Sequence, residues 1–283
     1  MKTRILTACV GLPLLVAVLF LLPWNWPTAI VFGAACAVAV WELCRETKLC
    51  ENKVMIVLAM LAALCVTFFS WATGEKSLIG SWKASVSAPA VYVGLFLFFI
   101  LLFMELLRSH EKTHFTALCT AVFAGLVIPW MLTGLVRLRV MQYGRIYVGA
   151  ALILAMTADT GAYFVGRAFG KHKLAPVVSP KKTVEGAVGG VLCTVLFMEL
   201  YCLIFDKGFG YDMNYLYAAI YGVIGSILSI VGDLTFSVVK RQVGIKDYGK
   251  LLPGHGGILD RFDSMVVVAP LTELLVLLLP LVG

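Results

Sequence analysis

The sequence predicts an all-α, polytopic integral membrane protein of about nine transmembrane helices, with the N-terminus inside and the C-terminus outside. Three observations carry this expectation. The 283 residues are 61% hydrophobic and only 14% charged, whereas a soluble domain is about half apolar and about a quarter charged. The mean hydropathy is +0.95. The apolar residues also fall in runs of about 20, the length that crosses a bilayer, and Lys and Arg are unevenly shared between the two sets of connecting segments.

The runs place spans at 5–22, 27–43, 54–73, 88–107, 117–136, 146–166, 184–205, 214–238 and 262–282. The second is short and the ninth begins with charged residues. Near the start, Leu6–Cys9 reads LTAC, like a lipoprotein cleavage box. A signal peptide needs its apolar region before the cut, and here it follows Cys9, so 5–22 is read as an uncleaved first span. With the N-terminus inside, 17 of the 23 Lys and Arg fall on inner segments and 6 on outer ones. The exception is 137–145, an outer segment with three arginines. The net charge of +7 is explained by topology, and no nucleic-acid partner is expected.

The chain divides into residues 1–140, holding spans 1–5, and residues 141–283, holding spans 6–9 with inner loops 167–183 and 239–261. Both loops are basic, and the chemistry concentrates there. The eight cysteines lack C-x-x-C spacing and are read as small hydrophobes. The four histidines are too scattered for a zinc site. No internal repeat supports a transporter built from duplicated halves.

The eighth span ends SIVGDLTFSVVKR. Asp233, Ser237 and Lys240 share one helix face there, and an acid inside an apolar span is a functional candidate by default. The following loop contains PGHGG, Pro253 to Gly257. Its glycines permit close backbone approach and turns that aim N–H groups at an anion. It runs on into ILDRFDS, where Asp260 and Asp263 lie on one face if helical. With Asp233 they would form a carboxylate cluster suited to Mg²⁺. Asp159, in the sixth span, is a further candidate.

In the other loop, SPKKTVEG predicts a helix starting with Ser179 as N-cap and Pro180 as first residue. Lys181 and Lys182 would then stand in the first turn, where cations are favourable only beside an anion such as phosphate. A lipid-headgroup pair of lysines is the alternative. The segment is not a phosphate-binding G-x-x-x-x-G-K-[ST] loop, because Lys181 stands where that pattern needs glycine before its Lys. Acids for metal and bases for phosphate suggest phosphoryl or nucleotidyl transfer.

SVVKRQVGIKDYGKLLPGHGGILDRFD, Ser237 to Asp263, resembles the signature of the phosphatidate cytidylyltransferases, also called CDP-diacylglycerol synthases. ADTGAYFVGRAFGKHKLAPVVSPKKTVEG, Ala158 to Gly186, is similar to that family as well. The resemblance covers roughly 157–190 and 231–264. It implies a Mg²⁺-dependent reaction of CTP with phosphatidate, giving CDP-diacylglycerol and pyrophosphate, and leaves room for a second cation. It implies metal ligation by Asp233, Asp260 and Asp263, with Asp159 added. Lys240, Arg241, Lys246, Asp247, His255 and Arg261 take catalytic roles. Ser179, Lys181, Lys182, Thr183, Ser237, Gly256 and Gly257 take substrate-binding ones. It further implies a homodimer in membrane lipid, in a bacterial cytoplasmic membrane, with the active site facing the cytosol. Two alternatives stand beside it: a CTP-dependent polyprenol or phytol kinase, and an ion-coupled transporter using Asp159 and Asp233.

Overall fold

The computed structural model describes residues 13, 16–74, 87–249, 251 and 256–283. Among these, helices dominate: α1 (Trp26–Thr47), α2 (Lys53–Gly74), α3 (Ser87–Arg108), α4 (Phe115–Val140, with a π-helical turn at Phe123–Val127), α5 (Gly144–Phe169), α6 (Val184–Leu203), α7 (Tyr215–Gln242), α8 (Leu259–Phe262) and α9 (Met265–Leu278). Seven helical segments, α1 to α7, are long and apolar enough to cross a membrane. The protein is an all-α polytopic membrane protein.

Two of the nine expected spans are not among these seven. The first, 5–22, lies mostly outside the described residues, and its end forms a π-helical turn at Ala17–Leu21. The ninth is shorter than its apolar run. Helix α9 has 14 residues and carries Pro270 inside it. At 1.5 Å per residue that is about 21 Å, below the ~30 Å hydrocarbon thickness. The chain beyond α9 is held instead by backbone bonds: Asn214 N–H donates to Leu281 O at 3.0 Å and Gly283 N–H to Asp212 O at 3.0 Å.

The polypeptide forms two units. One takes the chain up to Met141 together with Ile245–Arg261; the other takes Gln142–Gly244 and Phe262–Gly283. In the first unit α1 packs on α2, and Gly125 of α4 allows close approach to the Ala59 backbone, where a Cβ would meet Cα at 2.9 Å. Asn52 ties the unit's polar end: its Oδ1 accepts from Val54 N–H (2.9 Å), and its Nδ2 donates to Glu105 (2.9 Å), Ser109 (3.1 Å) and Thr113 (3.2 Å).

This unit also accounts for Arg137 and Arg139, two of the three arginines that broke the charge asymmetry. Arg139 is buried and donates to Leu19 O (2.9 Å), Leu22 O (2.9 Å) and Asn25 Oδ1 (2.7 Å). It satisfies carbonyls that end the π turn and precede α1. Arg137 donates to Thr133 Oγ1 at 3.1 Å and lies over the Trp130 ring at 5.2 Å. Both side chains are engaged in local structure, so they are weak topology signals.

In the second unit α5 and α6 pack closely through small residues. A Cβ on Gly190 would meet Ala158 O at 2.8 Å, and one on Gly186 would meet Ala162 O at 2.7 Å. Between the two helices runs a small antiparallel hairpin, β1 (Lys173–Ala175) and β2 (Ser179–Thr183). This corrects the expected helix start. Ser179 and Pro180 stand in β2, and the N-cap of α6 is Thr183, whose Oγ1 accepts from Gly186 N–H at 3.1 Å. Both SPKK and TVEG carry a capping residue before good helix positions. Pairing of Lys173 with Thr183 and of Ala175 with Ser179 holds the first tetrapeptide extended. Lys181 and Lys182 therefore sit on a strand and not in the first helical turn.

Candidate active site

In the second unit, four elements bring charge together. Helix α7 supplies Asp233, Ser237, Lys240 and Arg241 near its C-terminal end. At 28 residues it is about 42 Å long, so its last turns outrun the hydrocarbon and can carry charge. Strand β2 supplies Lys182, α5 supplies Asp159, and the residue pair before α9 supplies Asp263.

Lys182 Nζ makes an ion pair with Asp233 Oδ2, and Ser237 Oγ donates to Asp233 Oδ1 at 3.3 Å. Lys240 Nζ lies 3.7 Å from Asp263 Oδ2, while Asp263 Oδ1 accepts from Ser264 N–H at 2.9 Å. Gly232 lets α7 pass close to the Asp263 carbonyl, 3.1 Å from where a Cβ would stand. Asp159 lies near enough to interact electrostatically with Asp233 and Lys182, and Asp263 interacts likewise with Asp233 and Asp159. Lys182 Nζ is buried and makes no hydrogen bond besides its ion pair among the described residues. An ammonium has three donors, so it has capacity for a phosphate oxygen.

Three acids and two lysines leave this cluster formally negative before anything binds. Among the described residues, no three His, Cys, Asp or Glu side chains converge as a ready metal cage. Two carboxylates with a neighbouring hydroxyl still suit a cation that completes its shell from substrate phosphates and water.

The remaining expected residues of this unit flank the cluster. Arg241 Nε donates to Val178 O at 3.2 Å, tying α7 to the hairpin. Lys181 is exposed. Thr183 is committed to capping α6, and Ser179 pairs with Ala175 in the hairpin. Glu185 accepts from the Lys171 N–H at 3.1 Å and contacts His172 Nδ1 at 2.6 Å, which fixes the entry to β1.

The first unit holds the other part of the motif. Lys246, Asp247 and Arg261 are exposed; His255 lies outside the described residues. Asp260 is buried, and its Oδ2 accepts from Tyr248 N–H (2.7 Å) and Gly257 N–H (3.0 Å). Gly256 has φ +87°, a conformation that favours glycine. The Gly257 N–H, expected to face a phosphate, is donated within the loop. Asp260 and Asp263, expected on one helix face, sit on and after the single turn of α8 with different partners. Asp260 holds backbone amides; Asp263 faces Lys240.

The family model described as the cytidylyltransferase family matches residues 2–279 of this chain. The chain belongs to the cytidylyltransferase family. It is 32% identical over 279 residues to the phosphatidate cytidylyltransferase of Staphylococcus haemolyticus, covering 98% of this chain and 99% of the relative. It is 32% identical over 274 residues to that of Bacillus subtilis, covering 95% of each. It is 31% identical over 285 residues to that of Haemophilus influenzae, covering 95% and 96%.

Like its family, this cytidylyltransferase is a nucleotidyltransferase. One buried acid of the cytidylyltransferase lay outside the expected site. Glu42, in α1, is fully buried, and its two oxygens accept from Ile258 N–H and Leu259 N–H, both at 3.0 Å. The signal was a lone acid in the apolar run AVAVWEL, where a charge is costly unless it has a task.

Proposed function

We propose that this chain transfers the cytidylyl group of CTP to phosphatidate, giving CDP-diacylglycerol and pyrophosphate. A phosphate oxygen of the lipid attacks the α-phosphorus of CTP. One P–O bond forms there, and the bond from the α-phosphorus to the bridging oxygen breaks, releasing pyrophosphate. The supporting observation is the cluster in which Lys182 pairs with Asp233 and Lys240 faces Asp263. The names of its full-length relatives supply the substrate.

Both reactants are anions, so the protein must supply positive charge where they meet. Lys182 and Lys240 are held by carboxylates before substrate arrives. When phosphates enter, each ammonium can turn a donor to a phosphate oxygen without leaving its acid. Charge that builds up on the equatorial and leaving oxygens then meets donors already in place. Arg241, anchored to the hairpin, sits beside them. Exposed Lys181, Lys246 and Arg261 draw the nucleotide from solution.

Mg²⁺ fits the donor chemistry of Asp233 and Asp263, with Asp159 nearby, and when bound would neutralise the triphosphate and stabilise departing pyrophosphate. Ser237 orients Asp233, and Ser264 N–H orients Asp263. Asp260 acts first through the loop amides it holds. The cluster lies at the charged end of α7, consistent with a headgroup at the membrane surface and with the basic segments on the cytosolic side of a bacterial inner membrane.

The test uses purified protein in lipid with labelled CTP and phosphatidate. Formation of CDP-diacylglycerol and pyrophosphate, abolished by chelating divalent ions and restored by Mg²⁺, is the expected result. Release of CDP with a phosphorylated alcohol would instead indicate a lipid kinase.

A further inference from the structure

Glu42 occupies an unusual position for an acid: the second apolar span, with no exposure at all. Burying a carboxylate costs several kcal/mol unless its charge is met by good donors. Among the described residues, the donors that meet it are two backbone amides, those of Ile258 and Leu259, 216 and 217 positions away. They belong to the segment that leads into Asp260 and then Asp263.

The surrounding sequence is shaped to that carboxylate. A Cβ on Gly257 or on Gly249 would stand 2.7 Å from Glu42 Cδ, so a side chain at either position would push the carboxylate out of its place. Both glycines of the motif therefore let the loop backbone lie against Glu42. Asp260 completes the arrangement by accepting from Tyr248 and Gly257. Two acids thus hold four successive or facing amides, at 248, 257, 258 and 259.

We infer that Glu42 is a positioning residue for cytidylyl transfer, acting through the backbone of residues 257–259 to set the segment that carries Asp260 and Asp263. It touches neither reactant. The inference rests on the proposed reaction at that motif, because it assigns a reason for the loop to be held rigidly. An acid that only stabilised the fold would, when replaced, lower the unfolding temperature without loss of turnover in the protein that stays folded.

The experiment compares Glu42→Gln, Glu42→Asp, Gly257→Ala and the double variant Glu42→Asp with Gly257→Ala, all in the full chain, with Asp263→Asn as control. Turnover, KM for both substrates and thermal unfolding are measured. Glu42→Gln should lower kcat about 100-fold with KM changed by less than about threefold, since a small misplacement reaches the transition state more than binding. Gly257→Ala should lose a similar amount. The double variant should recover roughly tenfold over Gly257→Ala, because aspartate is one methylene shorter and withdraws from the new methyl group. Should Glu42→Gln fail to fold, Glu42→Asp and the double variant carry the test through that recovery. Unchanged kcat with only a lowered unfolding temperature, or additive losses in the double variant, overturns the inference while an inactive Asp263→Asn leaves the reaction standing. An active Asp263→Asn would instead overturn the reading of the reaction.

Discussion

Two pairs of acids, one in each unit, are satisfied in opposite ways. In the first, Glu42 and Asp260 are met by backbone N–H groups at 2.7–3.0 Å. In the second, Asp233 and Asp263 are met by the ammonium groups of Lys182 and Lys240. A backbone amide cannot leave without unfolding its segment. A lysine head on a flexible stem can swing to another anion. The first arrangement suits an acid whose task is to hold chain in place, and the second an acid whose charge must become available when phosphates and a cation arrive.

Variants that remove one carboxylate at a time can break or sharpen this contrast. The largest effect is expected for Asp263→Asn. Loss of a metal-binding carboxylate beside Lys240 should cost several kcal/mol of barrier, about a thousandfold in turnover. Amide exchange at Tyr248 and Gly257 should stay slow in that variant.

Asp260→Asn should cost about a hundredfold in a folded, inserted protein. Unlike Asp263→Asn, it should speed exchange of the Tyr248 and Gly257 amides, because one acceptor serves both. Equal exchange in the two variants would erase the distinction between holding acids and exchanging acids. Lys182→Met removes one charged donor near Asp233. A charge-assisted hydrogen bond of about 2 kcal/mol corresponds to a loss of roughly thirtyfold in kcat/KM for CTP. A smaller CTP effect than phosphatidate effect would reassign Lys182 to the lipid phosphate.

The smallest effect belongs to the hairpin that carries Lys182. Thr183→Ala deletes the cap of α6 and should lower stability by about 1 kcal/mol, measured by thermal unfolding. Ser179→Ala should leave stability nearly unchanged, because Ser179 lies in β2 and caps nothing. A reversed order would restore a helix start at Ser179.

Much of the candidate site was legible from spacing. Asp233, Ser237 and Lys240 recur one helical turn apart, and Asp233 and Ser237 do meet. Lys182 stood out beside Lys181 in a basic loop. The partnership of Lys182 with Asp233 was not legible, because it depends on a strand lying against a helix residue 51 positions later. Ser179 misled for a physical reason: local capping preference is worth about 1 kcal/mol, and ladder pairing across the hairpin outweighs it.

What the sequence by itself determined is set by properties each residue carries wherever it lies. Long apolar runs make helices that cross a membrane, since backbone groups must pair internally there. Lysines, glycines and aspartates in one motif set the chemistry of phosphate and cation. The tertiary structure alone decided which acid meets which donor. Asp260 and Asp263 are three residues apart and identical in type, yet one accepts from backbone and the other faces a lysine. Glu42 finds its partners more than 200 positions away. The reason is that hydropathy and helix period are local, whereas a buried carboxylate is satisfied by whatever donor packing brings within about 3 Å.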